Sequence, residues 1–172
     1  MSLEVREANV QEYDRVAEIM LAAYGSVPGF QLDLAGAYAA ELADVAGRAA
    51  VSPLLVAVEV KGEFAGTVLG AVTYIDDPAS PYAEPMTDDE AAVRMLAVHP
   101  RAQGRGVGRA LMETCIERAR HAGRARVVLH TTEWMITGHR LYERLGFRRA
   151  LERDAMVEDR IHLLGYVLDL EP

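Results

Sequence analysis

Three glycines fall within five residues, Gly104, Gly106 and Gly108, in the stretch "LAVHPRAQGRGVGRAL". A turn without side chains at alternate positions lets a partner approach the main chain closely. Bare backbone N–H groups at the start of the helix that follows, with the helix dipole behind them, suit an anion. Arg101, Arg105 and Arg109 add positive charge around this turn in a chain whose net charge is −8. A P-loop would close with Gly-Lys-Ser/Thr, and no such tripeptide follows these glycines. A dinucleotide fingerprint would need a glycine where Arg109 stands, and a place in the first strand-turn-helix unit. A strand-loop-helix cradle for a diphosphate remains. The other reactive residue types are sparse. His99, His121, His130, His139 and His162 share no metal-ligand spacing, so no metal is expected. Cys115 shares an apolar helix face with Leu111 and Ala119 and reads as buried and inert.

These residues need elements to hold them. Alternation predicts a strand over 3–8. Helical spacing follows over 10–25, with Asn9 as N-cap and Gly25 as stop. A second, alanine-rich helix is expected over 32–47. The run 54–75 reads as a β-hairpin turning at Lys61-Gly62. Residues 76–90, rich in Pro and acid, form a loop. Then come a strand over 91–98, the glycine turn, a helix over 107–123, a strand over 126–132 and a helix over 136–146. Two strands, 147–156 and 160–170, close the chain around a turn near Glu158-Asp159. The expected fold is one α/β (α+β) domain over residues 1–172, with an antiparallel hairpin early and a strand-helix-strand crossover late.

Composition sets the class. With 172 residues, 51% of them hydrophobic, the chain can build a sizeable core. No apolar run approaches the roughly 20 residues of a membrane span. Charges in "MSLEVREANV" are unlike a signal peptide, and a lone cysteine fits a reducing, cytoplasmic setting. The acidic balance argues against a general nucleic-acid surface.

The segment 94–112, "RMLAVHPRAQGRGVGRALM", resembles the acyl-CoA signature of the GNAT superfamily of N-acetyltransferases. Gln103, Gly106 and Gly108 fill its Gln/Arg-x-x-Gly-x-Gly/Ala pattern. The segment 138–150, "GHRLYERLGFRRA", resembles the family's second hallmark, a helix with Leu-Tyr-Glu-x-Leu-Gly-Phe that runs into a strand. The resemblance implies a mixed, mostly antiparallel sheet flanked by helices, with acetyl-CoA as co-substrate. Leu96, Ala97 and Val98 would then offer backbone groups to the pantetheine arm, with the N–H of Val98 toward the thioester carbonyl. Gln103, Gly104, Arg105, Gly106, Val107, Gly108 and Arg109 would cradle the diphosphate. Tyr142 would be the general acid, since a phenol keeps its proton at neutral pH.

The base is less plainly marked. Many relatives carry a glutamate where Ala92 stands; Glu90, on the same strand face, is the replacement candidate, and Glu133 the reserve. Met135 occupies a position where relatives often have a cofactor-contacting asparagine. Arg94 reads as an ion-pair partner. With no activated Cys or Ser, transfer would be direct, in a ternary complex. Asp76, Asp77, Glu84, Asp88 and Asp89 favour a cationic small amine or a peptide amine as acceptor. That site would draw on the first two helices, the 76–90 loop and the final hairpin. The competing readings are an acyl-CoA-binding sensor without turnover and a transferase with another acyl donor or a hydroxyl acceptor. Monomer and homodimer both stay open.

Overall fold

Strand-forming apolar runs come together in a single sheet of eight strands. The computed structural model describes residues 1–157 and 159–171. The strands are β1 (Ser2–Glu7), β2 (Leu54–Lys61), β3 (Val68–Ile75), β4 (Glu90–Val98), β5 (Arg126–Thr132), β6 (Arg148–Arg149), β7 (Ala155–Val157) and β8 (Ile161–Asp169). The helices are α1 (Tyr13–Gly25), α2 (Ala37–Ala43), α3 (Val45–Ala49), α4 (Val107–His121) and α5 (Ile136–Arg144). The sheet order is β1-β2-β3-β4-β5-β8-β6, with β7 also on β8. Among the described residues only β4 and β5 run parallel, because α4 crosses over between them. The mixed, mostly antiparallel sheet expected from the sequence is therefore present.

Each sheet face buries its own helices. Val107, Leu111, Met112, Cys115, Ile116 and Ala119 of α4 pack with Tyr142 of α5 against one face. Val16, Ile19, Met20 and Ala23, at helical spacing on α1, cover the other with α2 and α3. The covalent order of β4 breaks one rule. Ala97 pairs with Ala71 and Arg94 with Thr73, so β4 carries one extra residue, and Met95 there has φ +54°. A bulge of this kind bends and twists its strand.

Three elements differ from the sequence expectation. The helix expected over 32–47 is two short ones, because Asp44 leaves helical geometry and its carboxylate accepts the Gly47 N–H at 2.9 Å. The hairpin does not turn at Lys61-Gly62. The Glu59 carboxylate, buried at the end of β2, accepts the Phe64 N–H at 2.8 Å and holds a longer connection through Thr67. The strand expected over 147–156 is interrupted by a 3₁₀ turn, Leu151–Arg153, between β6 and β7. The expected turn at Glu158-Asp159 lies partly outside the described residues; Asp159 itself has φ +53°.

Candidate active site

The parallel pair β4 and β5 separates almost as soon as it forms. Glu90, Ala91 and Ala92 pair with Arg126, Val127 and Val128. Beyond them β4 continues to Val98 against β3, while β5 continues to Thr132 against β8. A cleft therefore opens in the middle of the sheet, and the strand edge holding Leu96, Ala97 and Val98 has no partner on the β5 side.

The glycine turn stands at the wide end of this cleft. Gly104 has φ +75° and Gly106, the residue that starts α4, has φ +85°, a left-handed conformation that favours glycine. A Cβ at either would meet nothing within 4 Å, so the space over this backbone is open. Val107 anchors the helix start in the core. Gly108 has a different reason. Its Cβ would lie 3.3 Å from Leu141 and 3.5 Å from Val98, so α4, α5 and β4 converge at that point. The Gln103 side chain donates to the Val98 carbonyl at 3.3 Å and folds the turn back onto the strand.

Two expected side-chain contributors are committed elsewhere. The Arg105 guanidinium lies 3.6 Å from Glu59 and over the Phe64 ring, and Arg109 donates to Glu113 at 2.7 Å on its own helix. What the turn offers is its backbone N–H groups.

On the α4–α5 face, Tyr142 is 8% exposed and packs against the rings of Phe147 and Tyr166. Burial, then the Tyr166 phenol, pushes its hydroxyl up to about 12, so it holds its proton throughout the physiological range. Gly138 lies one turn earlier on α5, where a Cβ would sit 3.3 Å from the Tyr142 ring and 3.5 Å from its oxygen. On the opposite face, burial raises Tyr24 well above its ordinary range, and the phenols of Tyr38 and Tyr142 raise it further. His139 bonds the Thr132 carbonyl at 2.8 Å and stays out of the cleft's chemistry as a tether for α5.

Glu90 requires a correction. It opens β4 at the closed end of the pair, six residues or about 20 Å of strand from Leu96. It is fully buried and accepts from the Thr87 N–H at 3.1 Å, Arg126 at 3.3 Å and both terminal nitrogens of Arg153. A carboxylate so placed and so occupied is a clamp between β4, β5 and the 3₁₀ turn, and is no proton acceptor for a substrate. Ala92 sits in an apolar patch with Ile75, Val128, Ala150 and Val167. Glu133 is exposed in the turn after β5.

Three of the five acids of the 76–89 loop turn to partners in the chain, while Asp76 and Asp88 make no side-chain hydrogen bond or ion pair among the described residues. Glu84 turns inward to His130 and Arg94. Asp77 caps its own turn, and Asp89 accepts from Thr87 and faces Arg126. Arg94 of β4 joins this loop to α2: its Nη1 donates to the Tyr82 carbonyl at 3.3 Å and lies 3.2 Å from Glu41. His130 bonds Glu84 through Nδ1 and the Arg153 carbonyl through Nε2 at 2.8 Å. Trp134, just after β5, packs on Phe30 and Gly29, so the loop after α1 reaches across to the far wall of the cleft. Sequence reading named Arg94 as an ion-pair partner but missed Tyr24, Tyr38, Glu41 and His130 as neighbours. The partner of His130 lies 46 residues away, a pairing that no local pattern marks. Among the described residues no group of His, Cys, Asp and Glu could hold a metal ion.

Comparison with known proteins bears on this arrangement. A 67-residue stretch is 37% identical to N-acetylaspartate synthetase of Danio rerio, covering 39% of this chain and 24% of that protein. The chain thus matches only about a quarter of that relative's length. Among solved structures, yncA of Salmonella typhimurium, determined with acetyl-CoA, has a TM-score of 0.70 at 22% identity over 100% of this chain and 96% of its own. A GNAT-family acetyltransferase of Staphylococcus aureus Mu50 reaches 0.74 at 13% identity, over 99% and 100%. The ribosomal-protein-S18-alanine N-acetyltransferase of Escherichia coli reaches 0.67 at 18% identity, over 99% and 96%. These likenesses carry the fold. The family model of the acetyltransferase (GNAT) family matches residues 16–147, from α1 to the end of the Tyr142 helix and its following turn, and the chain belongs to that family.

Proposed function

We propose that residues 1–172 act as one N-acetyltransferase domain that moves an acetyl group from acetyl-CoA to a primary amine by direct transfer in a ternary complex. The cleft between β4 and β5 carries this reading: a bare strand edge, an open glycine turn at its mouth and a protonated phenol at its side. Leu96, Ala97 and Val98 would hold the pantetheine arm through main-chain groups. The N–H groups from Gln103 to Arg109 would receive the diphosphate, and the open space over Gly104 and Gly106 fits such a group. Bound acetyl-CoA would supply the activated acetyl group as a thioester. Tyr142 would donate its proton to the departing sulfur. The names of two relatives, N-acetylaspartate synthetase and the S18-alanine N-acetyltransferase, describe acetylation at the nitrogen of an amino acid, which supports an amine acceptor.

One observation favours a second reading, an acyl-CoA-binding module without turnover: β4 offers no free carboxylate base, because position 92 is alanine and Glu90 is clamped. Release of coenzyme A thiol from acetyl-CoA across a broad amine panel tests both. Amine-dependent release supports the transferase. Tight acetyl-CoA binding with no release on any amine supports the module.

A further inference from the structure

Arg94 stands two residues beyond the last β4–β5 pair, on the face that carries α1 and α2, with 24% of its side chain exposed. Its Nη1 is used by the Tyr82 carbonyl and Glu41, and its Nε faces Glu84 at 3.5 Å. Among the described residues, Nη2 makes no hydrogen bond. Two further cations stand close by. His130 faces the Glu84 carboxylate at one ring nitrogen and the Arg153 carbonyl at the other, a geometry that suits the doubly protonated ring. Arg48 is fully buried on the carbonyls of Glu41 and Leu42, with no ion pair among the described residues and Asp44 as a charged neighbour. Arg94, Arg48 and the His130 ring thus gather against Glu41, Glu84 and Asp44, in a chain whose overall charge is strongly negative. A purely cationic acceptor would bring nothing to the Arg94 guanidinium. A guanidinium held flat by two carboxylates, with one nitrogen unpaired, instead suits one more carboxylate oxygen.

The geometry points to a zwitterionic acceptor, a primary amine of the α-amino-acid class, with its carboxylate on Arg94 and its ammonium toward Glu41 and Glu84. This rests on the transferase reading above. The ammonium, oriented by these carboxylates, first yields one proton to solvent water. The neutral nitrogen then attacks the acetyl carbonyl carbon; the C–N bond forms and the C–S bond breaks. Sulfur takes a proton from Tyr142, and the second proton lost from nitrogen restores it.

The test is kcat/KM for matched sets: L-alanine, L-alaninamide and ethylamine, then L-aspartate, L-glutamate and L-lysine with their carboxamides. Free acids are expected to exceed their carboxamides at least about tenfold in the native chain. Arg94→Gln should bring that ratio close to one with acetyl-CoA affinity unchanged, and Arg94→Lys should keep part of it. The ratio is taken within each variant, so a smaller folded fraction does not disturb it. Equal use of acids and carboxamides, or a preference that survives Arg94→Gln, overturns the zwitterion assignment and leaves the transferase intact. Acetyl-CoA binding without transfer to any of these amines or to a broader panel overturns both.

Discussion

A single oxygen atom separates a catalyst from a core aromatic at position 142. If the Tyr142 hydroxyl protonates the leaving sulfur, it acts on the transition state and hardly on bound substrate. Tyr142→Phe should then lower turnover at least about a hundredfold, while acetyl-CoA affinity stays within about twofold. Steady-state rates beside calorimetry and thermal melting check this; unchanged turnover with a lower melting temperature would return Tyr142 to a packing role. Glu90 behaves in the opposite way. Its carboxylate joins Arg126 and Arg153 in the interior, so Glu90→Gln should cost about 3 kcal/mol of stability and leave turnover per folded molecule unchanged. A hundredfold rate loss that high pH rescues would restore it as a base. Cys115, whose thiol burial pushes up to about 12, has neither role.

Among elements, the start of α4 is where sequence and structure agree most fully. The glycine spacing, the helix after it and the strand before it are local patterns, and each was legible in the chain. The glycines nevertheless differ in what they tolerate. Gly106→Ala places a methyl group in open space on a left-handed residue, so about 1–2 kcal/mol of stability is the expected cost without ligand. Against a diphosphate the same methyl group should weaken acetyl-CoA binding at least about tenfold, or 1.4 kcal/mol. Calorimetry on the folded variant decides it, and unchanged affinity would remove the anion from this turn. Gly108→Val is a poorer probe, because it also presses on Leu141. What the sequence hid was non-local. The break between α2 and α3 depends on a carboxylate cap at Asp44, and the long hairpin connection on Glu59 accepting a bond inside the core. Glu90 looked available because its partners lie 36 and 63 residues away. The bulge at Met95 left no mark in the alternation of "AAVRMLAV".

At the scale of the whole molecule, His130 links the acid loop, β5 and the 3₁₀ turn. Burial alone would lower its pKa, yet the Glu84 carboxylate and the Arg153 carbonyl outweigh burial and hold it above the ordinary 6.5. A folded value above the unfolded one adds stability that is complete below about 6.5 and fades as pH rises through the folded value. Melting temperatures between pH 5.5 and 8.5 should therefore decline more steeply for the native chain than for His130→Asn; equal slopes would exclude the imidazolium. The sheet as a whole has its own economy of edges. Its outer rims are poor templates for another chain: β1 bears Glu4, Arg6 and Glu7, and the far side ends in the two- and three-residue strands β6 and β7. The long unpaired edge lies inside, along β4, where the cleft admits a thin, flexible molecule and refuses a second polypeptide sheet. On the proposed reading, the main-chain hydrogen-bonding capacity that elsewhere seeds aggregation is kept for one kind of guest. The amide hydrogens between Val93 and Val98 that face the cleft should consequently exchange far more slowly once acetyl-CoA is added, while those directed at β3 and those of β1 stay unchanged.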